Sequence, residues 1–193
     1  MLILVRHGRT AYNASGRLLG RLDVPLDELG RRQAKALSGV AEIAGADRVI
    51  TSPLTRARQT AEALGPPVSV DDRWIEVDYG TYDGMVLDEV PPDLWQRWKA
   101  DPEWAPEGGE ALAAVVRRVS SACADLVADA AVHDVVVVSH VSPIKAALAW
   151  ALGTTHHVHW RMFLDTASVC RVEVVGAAPS LRSFNETHHR PSA

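Results

Sequence analysis

The sequence predicts a three-layer α/β/α sandwich with a mostly parallel central sheet. Short apolar runs alternate along the chain with longer segments of helical periodicity. Residues 1–5 are almost wholly apolar and precede a turn that contains glycine, which is typical of a strand buried on both faces of a parallel sheet. The chain has 193 residues, of which 47% are apolar, and neither a repeat nor a long linker divides it. We therefore expect one domain over residues 1–193.

The first helical pattern begins near Asp27. Apolar residues recur there at steps of three and four, and basic residues occupy the other faces. The recurring apolar residues are Leu29, Ala34, Leu37, Val40 and Ala41. This spacing predicts an amphipathic helix that packs one face on the sheet.

A second strand and its helix follow. Residues 47–51 predict the strand, and Ser52 and Pro53 supply an N-cap and a first-turn proline for a helix that runs to Leu64. Residues 68–70 can form a third strand. In such a sheet the chemistry is expected at the carboxyl ends of the strands.

The middle of the chain is less regular. Residues 74–84 are rich in turns and acidic side chains, and residues 85–107 predict a helical insertion or lid. The insertion contains Trp95, Trp98 and Trp104. These side chains could line a substrate pocket, but aromatic residues at helical spacing are more typical of a core or a lid.

The C-terminal part returns to regular alternation. A helix rich in alanine, valine and leucine reaches residue 131, and four consecutive valines at 135–138 predict a strand. Pro143 then lies in the first turn of a helix through Leu152. Residues 167–175 predict a late strand.

Charge and hydropathy exclude several classes of protein. Twenty basic and twenty-four acidic residues give a net charge of -4 without a basic block, so nucleic-acid binding is not expected. The most apolar region, residues 135–152, contains Ser139, His140 and Lys145 and is not expected to cross a membrane. The N-terminus lacks the pattern of a secretory signal, which predicts a cytoplasmic protein.

Neither the cysteines nor the histidine clusters predict a metal site. Cys123 and Cys170 are far apart and are typical of small buried apolar residues. The neighbouring histidines lack the helical spacing and the carboxylate of a zinc hydrolase. These clusters comprise His156, His157 and His159, and His188 and His189.

Two histidines and two arginines are the candidate functional residues. Arg6 and His7 directly follow the first strand, and His140 directly follows the valine strand. Arg56 lies in the first turns of the helix after the second strand. At one edge of the sheet these side chains would repel one another unless an anion bound between them. A phosphate monoester, with a charge of about -1.5 to -2 and three acceptor oxygens, meets that requirement.

Several segments carry a family signature. Residues 4–10 read LVRHGRT, with Asn13 three positions later, and residues 52–61 read SPLTRARQTA. Together they closely resemble the motifs of the histidine phosphatase superfamily, also called the phosphoglycerate mutase-like family. Further similar segments lie between residues 16 and 34, at Glu76, Tyr79-Gly80 and Asp83-Gly84, at residues 108–110 and at Ser139-His140. The resemblance covers roughly residues 2–175.

The resemblance implies catalytic roles for five residues. His7 would attack phosphorus and become transiently phosphorylated. Arg6, Arg56 and His140 would bind the equatorial phosphoryl oxygens, and Glu76 would exchange protons with the leaving group and with water. Neither a metal nor another cofactor is implied.

The same resemblance places Asn13, Gly20, Tyr79 and Val141 around the phosphoryl group or the substrate. Asn13 could instead belong to an ordinary capped loop. Many family members have two glycines after the second histidine, whereas this chain has Val141 and a serine followed by Pro143. The proline removes one backbone donor from the phosphate site, and the amide of Val141 remains available.

The chemistry of the residues agrees with these roles but leaves the acid open. Adjacent arginines lower the pKa of His7 below its usual value of about 6.5 and keep its ring neutral for attack. In an extended segment Glu76 and Asp78 would face the same way, so geometry alone admits either as the proton donor. The resemblance favours Glu76.

These observations predict a metal-independent phosphatase that hydrolyses a small phosphate monoester through phosphorylated His7. Two alternatives stay open. A phosphoglycerate mutase would return the phosphoryl group to the substrate, although this chain is compact for that branch of the family. A non-catalytic module would only bind a phosphorylated ligand. The sequence identifies neither the metabolite nor the assembly state, and a homodimer is among the alternatives.

Overall fold

A six-stranded sheet forms the centre of the protein, which we describe from a computed structural model for residues 1–175 and 178–191. The strands are β1 (Leu2–Arg6), β2 (Arg48–Thr51), β3 (Val68–Val70), β4 (Val135–Ser139), β5 (Val169–Val175) and β6 (Ala178–Glu186). Their order across the sheet is β3-β2-β4-β1-β5-β6. The first four of these run parallel, whereas β5 is antiparallel to β1 and β6 is antiparallel to β5. The mostly parallel α/β fold is confirmed.

Helices cover both faces of the sheet. They are α1 (Ala11–Ala14), α2 (Glu28–Leu37), α3 (Ala41–Ala44), α4 (Thr55–Glu62), α5 (Pro92–Ala100), α6 (Leu112–Ala130) and α7 (Val141–Ala151). One core contains Leu4 and Val137 together with α6 and α7, and the other contains Val5 and Val138 together with α2, α3 and α4. Successive strand residues therefore alternate between two buried cores, which explains why these strands are apolar throughout. Within the described ranges, no helix combines the length and the apolar character that a bilayer span requires.

The register of the two central strands positions the site. β1 and β4 pair in parallel from Leu2 opposite Val135 to Arg6 opposite Ser139. Beyond the last pair, the backbone N–H of His7 donates to the carbonyl oxygen of Ser139 at 3.0 Å. Both strands therefore end at the same level, and the residues that follow them leave the sheet side by side.

The predicted cap of the helix after β2 is wrong. The helix α4 begins only at Thr55, so Ser52 does not cap it and Pro53 is not in its first turn. The carboxylate of Asp23, from a distant loop, accepts hydrogen bonds from the backbone N–H and the hydroxyl of Thr55, both at 2.7 Å. Ser52 bonds instead to His140. A tertiary contact has replaced the local cap, which residue order alone does not reveal.

The amphipathic pattern after Asp27 is divided between two helices. The first of these helices begins beside Asp27, where the pattern predicted it; Asp27 is its N-cap, and the carboxylate accepts a backbone N–H of the first turn at 2.7 Å. The helix α2 ends at Leu37, and Val40 is the N-cap residue of α3. Because the chain turns at residues 38–39, Val40 is still buried but Ala41 is exposed. The prediction of one continuous helix was therefore wrong.

The insertion contains α5 and an aromatic cluster. Trp98 is buried, Trp95 stacks on it with ring centroids 6.1 Å apart, and Trp104 meets it edge-on at 6.1 Å. Trp95 and Trp98 also line the cavity described below. The tryptophans are thus both core residues and part of a pocket wall.

The C-terminal strand β6 is absent from the sequence predictions. Its apolar residues Leu181 and Phe184 are three positions apart and do not alternate. None of its side chains is fully buried, because β6 is the edge strand of the sheet. Such a strand carries no period-two hydrophobic pattern by which it could be recognised.

Candidate active site

The four candidate side chains meet at the carboxyl edge of the central strands. His7 follows β1 and His140 follows β4, and their ring centroids are 5.0 Å apart. Arg6 is the last residue of β1, and Arg56 lies in the first turn of α4. His140 and Arg56 have no exposed surface, and His7 is 3% exposed. Two imidazoles and two guanidinium groups therefore share one small, largely buried volume.

The ring of His7 is held in one tautomer. Its Nδ1 lies 2.7 Å from the carbonyl oxygen of Gly8, and because a carbonyl only accepts, Nδ1 carries the proton. The Nε2 atom therefore keeps its lone pair. Burial, followed by the charges of Arg56 and Arg6, holds the pKa of His7 well below its usual value of 6.5. The ring is neutral near pH 7 and can act as a nucleophile.

Gly8 fixes this histidine against two helices. Its backbone N–H donates to the hydroxyl of Thr60 on α4 at 3.0 Å. A Cβ atom at Gly8 would lie 2.5 Å from the carbonyl oxygen of Gly30 on α2. Only glycine permits this close approach, so α2 and α4 together hold the backbone that orients His7.

Each guanidinium group is anchored on one side only. Arg56 donates from Nη1 to the carbonyl of Leu22 at 2.8 Å and from Nη2 to that of Gly20 at 2.7 Å. Arg6 donates from Nη1 to the carbonyl of Leu164 at 2.6 Å. The buried Nε of each arginine has no partner in the described part of the chain. Burial lowers the pKa of Arg56 to about 10, so the group stays charged at neutral pH. Two anchored cations with unpaired donors are suited to binding an anion.

A single carboxylate orders the loop that holds Arg56. Asp83 accepts three successive backbone N–H groups, those of residues 20–22, at 2.7, 2.7 and 2.9 Å. A Cβ atom at Gly20 would lie 2.7 Å from the carbonyl oxygen of Val77. Gly20 was expected near the phosphoryl group or the substrate; its N–H donates to Asp83 and its carbonyl accepts from Arg56, so its backbone holds the arginine. Asp83-Gly84 resembles a family segment in the sequence, but the resemblance alone gave Asp83 no role.

His140 is fixed by a serine that sequence analysis misassigned. Its Nε2 lies 2.7 Å from the hydroxyl of Ser52, whereas its buried Nδ1 has no partner within residues 1–175 and 178–191. Burial first, then Arg56 and His7, lower the pKa of His140 well below 6.5. A neutral ring whose Nε2 accepts from the serine hydroxyl presents an N–H at Nδ1.

The structure places the two candidate carboxylates, those of Glu76 and Asp78, in different surroundings. Glu76 is 3% exposed and lines the cavity beside His7. Its oxygens accept the backbone N–H groups of Val77, Val141 and Ser142, at 2.7, 3.0 and 3.2 Å, so the carboxylate lies at the N-terminus of α7. Asp78 is half-buried and accepts the backbone N–H of the residue two positions later at 2.8 Å. Residues 76–79 are not part of a strand, and the two carboxylates have different surroundings, since Glu76 lines the cavity and Asp78 does not.

Three further candidates have different surroundings. The amide of Val141 is not available to a phosphoryl group, because it donates to Glu76. Asn13 lines the cavity, but its Oδ1 accepts from the backbone N–H and the hydroxyl of Thr10 in a reciprocal cap of α1. Tyr79 also lines the cavity, and burial, with a smaller contribution from Glu76, raises the pKa of its hydroxyl.

A cavity of about 330 Å³ opens beside His7. Its polar lining includes Arg6, His7, Asn13 and Glu76, whereas its walls are largely apolar and aromatic. The lining residues that sequence analysis missed include Lys145, Trp160 and Phe163. The lysine had one usable signal, because it lies four residues after Val141 and so on the same face of α7.

No group of three or more histidine, cysteine, aspartate or glutamate side chains that could hold a metal ion occurs within the described ranges. The side chain of His156 lies outside what the structure describes. His189 contacts the backbone, with its Nε2 at 2.8 Å from the carbonyl oxygen of Ala167.

The fold brings a buried neutral histidine at a strand end close to two arginines, Arg6 at the end of β1 and Arg56 in the first turn of α4, which is an arrangement suited to binding a phosphoryl group. Residues 2–187 match the histidine phosphatase superfamily (branch 1), and the chain belongs to that superfamily. The resemblance seen in the sequence motifs is confirmed.

Relatives with curated names include phosphatases, a bifunctional protein and a probable phosphoglycerate mutase of Yersinia enterocolitica, which is 31% identical over 89% of this chain and 84% of its own. A bifunctional protein of Mycobacterium tuberculosis is 38% identical over 195 residues, which cover 96% of this chain and 54% of that protein. This chain thus spans about half the length of that relative. Phosphoserine phosphatase 1 of Hydrogenobacter thermophilus is 35% identical over 196 residues, which cover 97% of this chain and 93% of the relative. The solved structure of a mycobacterial glucosyl-3-phosphoglycerate phosphatase in complex with VO3 has a TM-score of 0.84 at 31% identity, covering 96% of this chain and 98% of its own.

Proposed function

We propose that this protein is a metal-independent phosphatase that hydrolyses a small phosphate monoester through a phosphohistidine on His7. The observation that carries the proposal is the fixed tautomer of His7, whose unprotonated Nε2 lies in a buried site beside two cations. A histidine that served only as a structural donor would not need this suppression of its charge. The phosphatase names of the relatives support the same conclusion.

The phosphoryl group is bound by Arg6, Arg56 and His140. The two arginines have buried donors without partners, and His140 offers a further N–H from a neutral ring. A phosphate dianion would compensate both positive charges and accept these donors. Because the donors are already anchored by loop carbonyls and by Ser52, they stabilise the transition state with little reorganisation.

The first chemical step transfers the phosphoryl group to the enzyme. The Nε2 lone pair of His7 forms the bond to phosphorus while the bond from phosphorus to the ester oxygen breaks. The departing oxygen takes a proton from Glu76, the one carboxylic acid among the described residues that line the cavity.

The second step returns the enzyme to its starting state. A water molecule attacks phosphorus in phosphorylated His7 and gives one proton to Glu76, and the bond from phosphorus to Nε2 breaks. Inorganic phosphate leaves, and Glu76 is again protonated for the next ester.

The cavity size favours a small substrate. A volume of about 330 Å³ lies at the lower end of the range for small-molecule sites. The named relatives act on phosphoserine and on glucosyl-3-phosphoglycerate, which are both phosphate monoesters that also carry a carboxylate. We place the substrate of this protein among such metabolites.

The proposal is tested by measuring phosphate release from a panel of phosphorylated metabolites in the presence of a metal chelator. We expect release from at least one of them, an acid-labile phosphoenzyme after rapid quenching, and neither signal in a His7→Ala variant. Isomerisation of phosphoglycerate without net release would instead establish a mutase. Tight binding without turnover of any ester would establish a binding module.

A further inference from the structure

Lys145 lies in the cavity but has no partner there. It is on α7, four residues after Val141, and it lines the cavity together with His7 and Glu76. The side chain is half-buried. It makes no hydrogen bond and no ion pair within residues 1–175 and 178–191. A partly buried ammonium group that makes neither a direct hydrogen bond nor an ion pair is unusual, because buried charges are normally paired.

The other basic side chains around the cavity are engaged. Arg17 donates to the carbonyl of Gly84 at 2.9 Å and lies over the ring of Tyr12. Arg6 is held by a loop carbonyl and belongs to the phosphoryl site. Among the basic side chains of the described cavity lining, Lys145 is therefore the one that donates no hydrogen bond.

Glu76 does not serve as the partner of this lysine. The Glu76 carboxylate raises the pKa of Lys145 through its charge, but burial has the larger effect and Arg6 adds to it, so the pKa is lowered overall. The oxygens of Glu76 accept three backbone N–H groups, and no hydrogen bond joins them to Lys145 within the described ranges. An additional anion beside the lysine would favour its charged form.

Much of the remaining cavity lining is apolar or aromatic and includes Leu18, Trp160 and Phe163. A second negative group on a substrate would lose its hydration on entering these walls. It would regain a charge-assisted hydrogen bond only from a cation inside the cavity.

We propose that Lys145 is the specificity-determining residue of this site and binds a second anionic group, a carboxylate or a second phosphate, on the substrate. The inference rests on the proposed phosphatase function. The ammonium group donates to an oxygen of that second anion, while Arg6, Arg56 and His140 hold the phosphoryl group that is transferred. Monoesters without a second anion leave the ammonium unpaired and bind more weakly.

Matched substrates isolate this contact. Phosphoserine and phosphoethanolamine differ only in the carboxylate, and fructose 1,6-bisphosphate and fructose 6-phosphate differ in the second phosphate. We expect the wild-type protein to favour the anion-bearing member of at least one pair. We expect Lys145→Met to reduce kcat/KM for that member roughly 10- to 100-fold, mainly through KM, with little change for its partner. The first pair reports a carboxylate and the second a phosphate.

Two further variants serve as controls. Lys145→Arg keeps the positive charge and should retain most of the preference, which also guards against a folding defect in Lys145→Met. Lys35→Met removes an exposed lysine on α2 and should leave every rate unchanged. An equal loss for both members of each pair would overturn the inference, because Lys145 would then act on the phosphoryl group or on Glu76. Absence of any preference in the wild-type protein would overturn it as well.

A failure of the proposed function gives a different result. In that case no ester is hydrolysed by the wild-type protein, and the same pairs are compared by calorimetric binding. Tighter binding of the anion-bearing member that Lys145→Met abolishes would support the inference without catalysis. Equal binding of both members to the two proteins would refute it.

Discussion

The proton on His7 is placed by one backbone atom, the carbonyl oxygen of Gly8, and the second ring nitrogen stays unprotonated because the site is buried and cationic. The same surroundings lower the pKa of His140. Burial and neighbouring charges therefore set the ionisation of both histidines at this site.

The proposed acid and base role of Glu76 leads to a prediction for a single residue. Glu76→Gln should lower kcat by roughly 10² to 10⁴ for alkyl phosphates, because neither the leaving alkoxide nor the attacking water can then exchange its proton. The loss should be smaller for p-nitrophenyl phosphate, whose leaving group needs little protonation. Steady-state rates with both ester classes provide the measurement.

Asp78→Asn is the matched control for that prediction. Asp78 lies two residues from Glu76 but is bonded to a local backbone N–H and does not line the cavity. Its substitution should leave kcat close to the wild-type value. A large loss confined to Asp78→Asn would transfer the acid role to that residue.

At the scale of elements, the site depends on contacts between segments that are distant in sequence. The N-terminus of α7 receives the carboxylate of Glu76, and the first turn of α4 receives that of Asp23. The loop at residues 20–22 is held by Asp83 and in turn supplies carbonyl oxygens to Arg56. The loops thus position the guanidinium group, and the strands position the histidines.

The loop at residues 20–22 carries the second prediction. Asp83→Ala removes the acceptor of three backbone N–H groups and should lower the free energy of unfolding by about 1–3 kcal/mol. Because Arg56 loses its ordered anchor, the affinity for inorganic phosphate should also fall. Denaturant unfolding and calorimetric titration with phosphate measure the two effects.

An exposed aspartate provides the comparison. Asp88 lies in the same part of the chain and is exposed, so Asp88→Ala should change neither stability nor phosphate affinity. If Asp83→Ala lost stability but kept full phosphate affinity, the proposed connection from this loop to Arg56 would be incorrect.

At the scale of the whole molecule, helices on both faces bury the central strands and align their carboxyl ends. Two separate cores result, and the charged site lies at the edge between them. Because two histidines are buried there in their neutral form, the free energy of unfolding should depend on pH. The cytoplasmic location and a homodimer remain predictions.

Stability should decrease as the pH falls below about 6.5. The folded-state pKa values of His7 and His140 lie below that of an unfolded chain, so between the two values the unfolded state binds more protons. Each histidine then lowers the free energy of unfolding by up to about 1.4 kcal/mol per pH unit. The half-buried His189, whose pKa is also lowered, adds in the same direction. Chemical denaturation between pH 7.5 and 5.0 in phosphate-free buffers measures the slope.

Substitution of single histidines shows which of them produces the dependence of the free energy of unfolding on pH. His7→Asn should remove about one proton's contribution to the slope. An identical slope in wild-type protein and His7→Asn would mean that the folded protein does not suppress the charge of this ring.

Much of the fold could be read from hydrophobic pattern. Buried parallel strands such as β1 and β4 are continuous apolar runs, and long helices such as α6 carry a strong three-to-four periodicity. The edge strand β6 could not be read, because a strand without a buried face leaves no periodic signal. The start of α4 was misplaced, because its cap comes from Asp23, far away in sequence.

The candidate site divides in a similar way. Arg6, His7, Arg56 and His140 are brought together as expected, since they follow strands whose register aligns their ends. The amide of Val141 was expected to be available to phosphate, but Glu76 accepts it, and the N–H of Gly20 donates to Asp83. Which acceptor receives each backbone N–H depends on distances between atoms, and a residue pattern does not specify those distances.

The amino-acid sequence by itself determined the layered α/β fold, the family and the four cationic or imidazole side chains at the strand ends, because these follow from local periodicity and from motifs. The tertiary structure decided which carboxylate lines the cavity with His7, which loop anchors Arg56 and which lysine of the described lining makes no hydrogen bond or ion pair. Those outcomes depend on how segments far apart in sequence compete for the same donors and for the same buried space. That competition is resolved only when the chain is folded.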